Sequence, residues 1–143
     1  MTTAKDPLPL VTVVMPVFNG ARTLRRSVTS VLDQTFRSLE LVVVDDASTD
    51  DTVRIAEELA EKDARVRIIR RERSGGPAAA RNSGIAGGTG RFLAFCDADD
   101  LWLPEKLERQ LDAPVVQQAG DPRPQLLRAR LLGVEGPAGG PRS

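Results

Sequence analysis

Four short apolar runs alternate with segments whose apolar residues recur at helical spacing, the pattern of a parallel α/β sheet. The run from Leu10 to Val17 is nearly all apolar, as expected of a strand covered on both faces. After Asn19-Gly20, Leu24, Val28, Val31 and Leu32 share one face of a predicted helix, with Arg22, Arg25, Arg26 and Asp33 facing water. A second strand is expected over Leu39 to Val44, ending in Asp45-Asp46. Ser48 and Thr49 then offer N-cap hydroxyls, with Asp50 and Asp51 in a first turn, before a helix carrying Val53, Ile55, Ala56, Leu59 and Ala60. Val66 to Ile69 reads as a third strand. Gly75-Gly76-Pro77 opens a third helix that runs to about Ala86 and stops at Gly87-Gly88. Phe92 to Cys96 is the fourth strand, ending in Asp97-Ala98-Asp99-Asp100, and Pro104 starts a last helix through Leu107 and Leu111.

The character changes beyond that helix. Proline and glycine crowd the chain from Ala113 to the end, and only Gln125 to Val134 holds an apolar, helix-like stretch. Such a composition does not support a packed core. The expected division is a folded unit over residues 8–112 and a disordered tail over 113–143.

Composition narrows the chemistry. Twenty basic residues balance twenty acidic ones, so no global field draws in nucleic acid. The chain contains no histidine, which removes Ser-His-Asp and Cys-His mechanisms and histidine metal ligation. The single cysteine, Cys96, forms no internal disulfide and suits a reducing compartment. Neither a signal peptide nor an apolar run long enough to span a bilayer is visible, so the expected location is the cytoplasm.

In an open parallel sheet, ligands bind beyond the carboxyl ends of the strands. Three of the four predicted strands end there in polar or aromatic clusters: Phe18-Asn19, Asp45-Asp46, and Asp97 to Asp100. Asp97 and Asp99 in a D-x-D pattern suit a hard divalent ion shared with substrate phosphates. The same pattern also reads as an acidic turn before a helix. Asp45-Asp46 reads equally as a strand-to-helix turn or as a carboxylate that accepts an N–H from a base. Phe18 is either a stacking platform or a core residue, and Arg81 either meets a phosphate or solvates its helix. The run Gly87-Gly88-Thr89-Gly90 precedes a strand, so it reads as a helix stop and not as a dinucleotide fingerprint.

Taken in order, Thr12 to Asn19, Leu41 to Thr52, Gly76 to Gly84 and Phe95 to Trp102 resemble the motif set of family 2 glycosyltransferases, over about residues 10 to 111. The resemblance implies a GT-A fold, a Rossmann-like open and mainly parallel sheet flanked by helices, here incomplete on its C-terminal side. It implies inverting transfer of a sugar from a nucleotide diphosphate, UDP- or GDP-linked, with Mg²⁺ or Mn²⁺. By position, Phe18 matches the residue that packs on the base and Asp46 the carboxylate that contacts it. Asp97 matches the acid near ribose and sugar, Asp99 the metal ligand, and Pro16, Asn19, Arg81 and Ala98 complete the nucleotide-sugar-binding set. Phe18 stands where tyrosine is frequent. No counterpart of the acceptor-binding half, or of its general base, is recognisable after Leu111, which reads as a truncation or frameshift. Two other readings compete: a nucleotide-binding or regulatory module without turnover, and a phosphoacceptor receiver domain, suggested by Val42-Val43-Val44-Asp45-Asp46. The receiver places its acids after strand one and needs a lysine late in the sheet. Here Lys5, Lys62 and Lys106 are the only lysines, and none ends a strand.

Overall fold

The computed structural model describes residues 9–112 and 125–127. Its elements follow in the order β1 (Val11–Val17), α1 (Leu24–Leu32), β2 (Leu39–Asp45), α2 (Thr52–Lys62), β3 (Val66–Arg70), α3 (Gly76–Gly87), β4 (Phe92–Phe95), α4 (Lys106–Asp112) and β5 (Gln125–Leu126). All five strands pair in parallel in the spatial order β3-β2-β1-β4-β5. The chain moves outward from β1 through β2 to β3 and then crosses to the other side of β1. The strand order therefore reverses between β1 and β4, the place where such sheets open a crevice at their carboxyl edge.

The continuous apolar runs of β1 and β2 are explained by layers on both faces. Alternate residues face opposite ways along a strand. Val11, Val13, Met15, Leu41 and Val43 join Leu24, Val28 and Val31 of α1, Ile55, Ala56 and Leu59 of α2, and Leu107 of α4 in one core. Val14, Val42 and Val44 point the other way, into a smaller core with Ala80 of α3 and Leu93. Helix α3 is built of small residues because it lies close on this second face. A Cβ at Gly84 would come within 2.4 Å of Val14 Cγ1 and 3.1 Å of Val44 Cγ2.

At the amino edge of the sheet, Glu40 is buried among donors. It accepts from Thr12 Oγ1 at 2.6 Å, the Thr89 N–H at 2.6 Å and Arg67 Nη1 at 2.8 Å. Burial alone would raise its carboxyl, yet these bonds hold it below the usual carboxylate range. The turn after α3 is thereby clamped to β1 and β2, with the Gly90 N–H on Thr12 Oγ1 at 2.8 Å. This places the glycine run at the edge opposite the acidic clusters, as a helix stop and turn.

Three boundaries differ from expectation by two residues or more. Helix α2 starts at Thr52, because the Asn19 and Asp50 side chains take the amides of Thr49, Asp50 and Thr52 before the helix can form; Ser48 and Thr49 do not cap it. Helix α4 starts at Lys106 instead of Pro104, since the Leu103 and Pro104 carbonyls accept from Gln34 Nε2 and the Thr35 N–H. The sheet also extends past residue 112. Gln125–Leu126 lies along β4, the Leu127 N–H bonds the Leu93 carbonyl at 2.7 Å, and Leu127 is only 8% exposed in the larger core. The expected boundary at 112 is corrected accordingly, as is the helix-like reading of Gln125 onward where it is described: this short piece covers what would otherwise be an open edge of β4. The disorder expected of the rest of 113–143 lies outside the described residues. Among the described residues, no helix is long and apolar enough to cross a membrane.

Candidate nucleotide-sugar site

The ends of β1, β2 and β4 meet at the carboxyl edge, as the register of β1 against both neighbours requires. At the end of β1, Pro16 is partly buried and Phe18 is 54% exposed, so Phe18 is an open ring and not a core residue. Asn19 adopts a left-handed conformation, φ 51°, which asparagine tolerates better than most residues. Its N–H bonds Ser48 Oγ at 2.7 Å, and its Oδ1 accepts the Thr49 N–H at 2.8 Å. Asn19 thus ties the exit of β1 to the loop after β2. Asp50 adds a second tie through the Ala21 N–H.

At the end of β2, Asp45 and Asp46 are both buried. Asp45 accepts the Ser48 N–H. Asp46 accepts four donors: Arg71 Nε at 2.9 Å and the Gly75 N–H at 3.1 Å on Oδ1, Ser74 Oγ at 2.9 Å and the Gly76 N–H at 3.0 Å on Oδ2. Burial pushes its carboxyl up, and the four donors together outweigh that, holding it below the usual range. Ala47 follows with φ 69°, a conformation that costs a residue with a Cβ about 1–2 kcal/mol. Between the ends of β2 and β3 lies an open cleft of about 550 Å³, lined by Asp45, Ala47, Ser48, Arg70, Arg71 and Glu72.

At the end of β4, Asp97 and Asp99 are exposed and Asp100 partly so, with one carboxylate oxygen from each lying within 4.8 Å of the others. Buried Cys96 sits just behind them. Burial first, and then the charges of Asp100 and Asp97, push its thiol far up, so it stays protonated. The acidic loop is held from below by helix α1. The Ala98 carbonyl accepts Thr23 Oγ1 at 2.8 Å and Ser27 Oγ at 2.7 Å. Ser30 Oγ accepts the Trp102 N–H, and Gln34 bonds both the Leu103 carbonyl and the Leu107 N–H. Arg81, on α3, places its guanidinium 6.0 Å from the centre of the Phe95 ring, at the end of the same strand.

The structure therefore brings Phe18, Asn19, Asp46, Asp97, Ala98 and Asp99 to one edge, with Arg81 against Phe95 of β4. Sequence reasoning missed the row Thr23, Ser27, Ser30 and Gln34, although polar residues three or four apart along α1 and its two flanks are a legible signal. It also missed Arg71 and Ser74, which no local pattern marks.

Three acidic side chains on a pinned loop form a donor set of hard oxygens, which fits Mg²⁺ or Mn²⁺. The open parallel sheet, with an aromatic face and this acidic loop flanking its reversal point, defines the chain as an α/β domain with a candidate ligand crevice at its carboxyl edge. It belongs to glycosyl transferase family 2, whose family model matches residues 12–114. Among curated relatives it is 41% identical over 102 residues to the Escherichia coli UDP-Glc:alpha-D-GlcNAc-diphosphoundecaprenol beta-1,3-glucosyltransferase WfgD, covering 71% of this chain and 40% of that one. It is 40% identical over 104 residues to the putative teichuronic acid biosynthesis glycosyltransferase TuaG of Bacillus subtilis, covering 73% and 41%. Staphylococcus aureus TarS 1-349 in complex with UDP-GlcNAc superposes with a TM-score of 0.66 at 31% identity, covering 70% of this chain and 29% of that one. The mannosyltransferase PcManGT from Pyrobaculum calidifontis, in complex with GDP-Man and Mn²⁺, gives 0.68 at 30% identity, covering 72% and 31%. The fold is thus the GT-A arrangement. The chain spans about two fifths of the length of the curated relatives it matches.

Proposed function

We infer that the carboxyl edge binds a nucleotide-diphosphate sugar together with Mg²⁺ or Mn²⁺, and that the protein transfers the sugar with inversion to an acceptor. The observation that carries this is the convergence of an exposed aromatic ring, a buried ionised carboxylate and three clustered carboxylates on the reversal point of one sheet. Phe18 offers the base an apolar face. Asp46, kept ionised by its surroundings, is an acceptor for a ring N–H, and Asp97 lies on the side of ribose and sugar. Pro16, Asn19 and Ala98 shape the backbone around the ligand. Arg81 supplies positive charge near β4. Asp99 would hold the metal, with Asp97 and Asp100 beside it, and a bound divalent ion would neutralise charge on the leaving diphosphate. The chain's own part is to fix where those acids stand, which the hydroxyls of Thr23 and Ser27 do through the Ala98 carbonyl. UDP- and GDP-sugars are the donors proposed, in accord with what the structural neighbours were solved with. A reducing, cytoplasmic location accords with the single buried thiol.

The experiment is a calorimetric titration of the purified chain with UDP, GDP and their sugars, with and without Mn²⁺. One of the two nucleotides is expected to bind at least about tenfold more tightly with the metal, roughly 1.4 kcal/mol. Affinity independent of Mn²⁺ for every ligand removes the metal assignment, and no binding at all removes the donor-site reading.

A further inference from the structure

A base N–H directed at Asp46 would meet a carboxylate that is already full. An ionised carboxylate has about four acceptor positions, and Arg71, Gly75, Ser74 and Gly76 fill four of them. A new donor therefore has to displace an old one.

The four are held very unequally. Arg71 carries charge, and charge-assisted bonds are roughly twice as strong as neutral ones. Its Nη1 is also committed to Ser83 Oγ at 2.8 Å and to the Ala79 carbonyl at 3.5 Å. The Gly75 and Gly76 N–H groups belong to the backbone that begins α3. Gly76 is fixed there at φ 90°, a conformation that only glycine adopts freely, with Pro77 next. Releasing either amide means moving the start of a helix. Ser74 differs from all three. It is an exposed residue of the preceding loop, and its hydroxyl turns about one bond into water.

We propose that Ser74 is a specificity-determining gate on Asp46: its hydroxyl occupies Oδ2 in the free chain and swings away when a base with a ring N–H, such as uracil or guanine, takes its place. The proposal rests on the donor-site reading above and adds to it a residue and an order of exchange. Its consequence is a penalty on every binding event that sets a base N–H on Asp46, since one hydrogen bond is given up for the one gained.

Ser74→Ala removes that penalty and leaves the Arg71, Gly75 and Gly76 contacts in place. Whichever of UDP and GDP the wild-type chain binds with Mn²⁺ is expected to bind Ser74→Ala about three- to tenfold more tightly, the range of one net hydrogen bond. Inorganic pyrophosphate has no base and is expected to bind Ser74→Ala as it binds the wild type. Ser74→Thr keeps the hydroxyl and is expected to restore wild-type affinity. A loop that was merely loosened would shift all ligands together, so the selectivity separates the two effects. Unchanged or weaker nucleotide binding by Ser74→Ala, or an equal change for pyrophosphate, would overturn the gate while leaving the donor-site reading intact. A wild-type chain that binds no nucleotide overturns both.

Discussion

Asp46→Ala is expected to lower the stability of the chain by about 3–5 kcal/mol, the usual cost of removing one partner from a buried ion pair. The substitution strands Arg71, whose side chain is three-quarters buried, and leaves the Gly75 and Gly76 amides without their acceptor. Gly75 is exposed and Gly76 partly buried, so water meets part of that loss and the stranded Arg71 carries most of the cost. For a domain of this size the melting temperature is expected to fall by about 10 °C or more. The variant also reports on pH. Because Asp46 in the folded chain is held below its ordinary range, its contribution is fully present above the unfolded value of about 3.9 and is lost as pH falls through the folded value. Glu40 carries the same sign. Wild type is therefore expected to lose stability on acidification below about pH 4, and Asp46→Ala to lose less of it. Thermal melts from pH 7 to pH 3 check both statements. A melting temperature within 2–3 °C of wild type, on the order of 1 kcal/mol, would show that the four hydrogen bonds do not hold this edge together.

Asp99→Ala is expected to do the reverse, sparing the fold and abolishing metal-dependent binding. Its carboxylate is exposed, and no described residue hydrogen-bonds it or pairs with it. Removing it relieves repulsion with Asp97 and Asp100, so the melting temperature is expected to stay level or rise slightly. A diphosphate brought to this loop without a cation would face like charge. The gain that Mn²⁺ gives the wild-type chain, at least about tenfold, is therefore expected to vanish in the variant. Retention of that gain by a folded Asp99→Ala chain would move the metal elsewhere.

These two acids show what the sequence makes legible. Strand ends in a parallel sheet declare themselves because the buried run before them is apolar and the acids after it are not, so Asp46 and Asp97 to Asp100 stood out together. Their difference in role did not. Asp46 is held by Arg71, Ser74, Gly75 and Gly76, between 25 and 30 positions away, and no periodicity links such residues. Phe18 was ambiguous because an aromatic residue beside a strand packs inward or outward with equal ease on paper; its exposure settles which. In helix α1 the apolar face drew attention, while Ser27 is just as buried and anchors the acidic loop at Ala98, and Gln34, just past the helix, is buried and holds Leu103 and Leu107. Strand β5 was hidden for another reason. Two residues carry no measurable alternation, and the apolar stretch that begins at Gln125 reads as helix-like within a proline- and glycine-rich tail. Only the unpaired side of β4 called for it.

Binding of a nucleotide diphosphate at the ends of β1, β2 and β4 is tested by an amide chemical-shift map of the isotope-labelled chain, titrated with UDP and with GDP in the presence of Mg²⁺, followed by substitution of paramagnetic Mn²⁺. Shifts are expected to concentrate at residues 16–20, 45–49, 72–81 and 96–100, with Mn²⁺ broadening centred on 97–100 and fading toward the Glu40–Thr89 edge. Perturbations centred on that opposite edge, or broadening that spares Asp97 to Asp100, would contradict binding there.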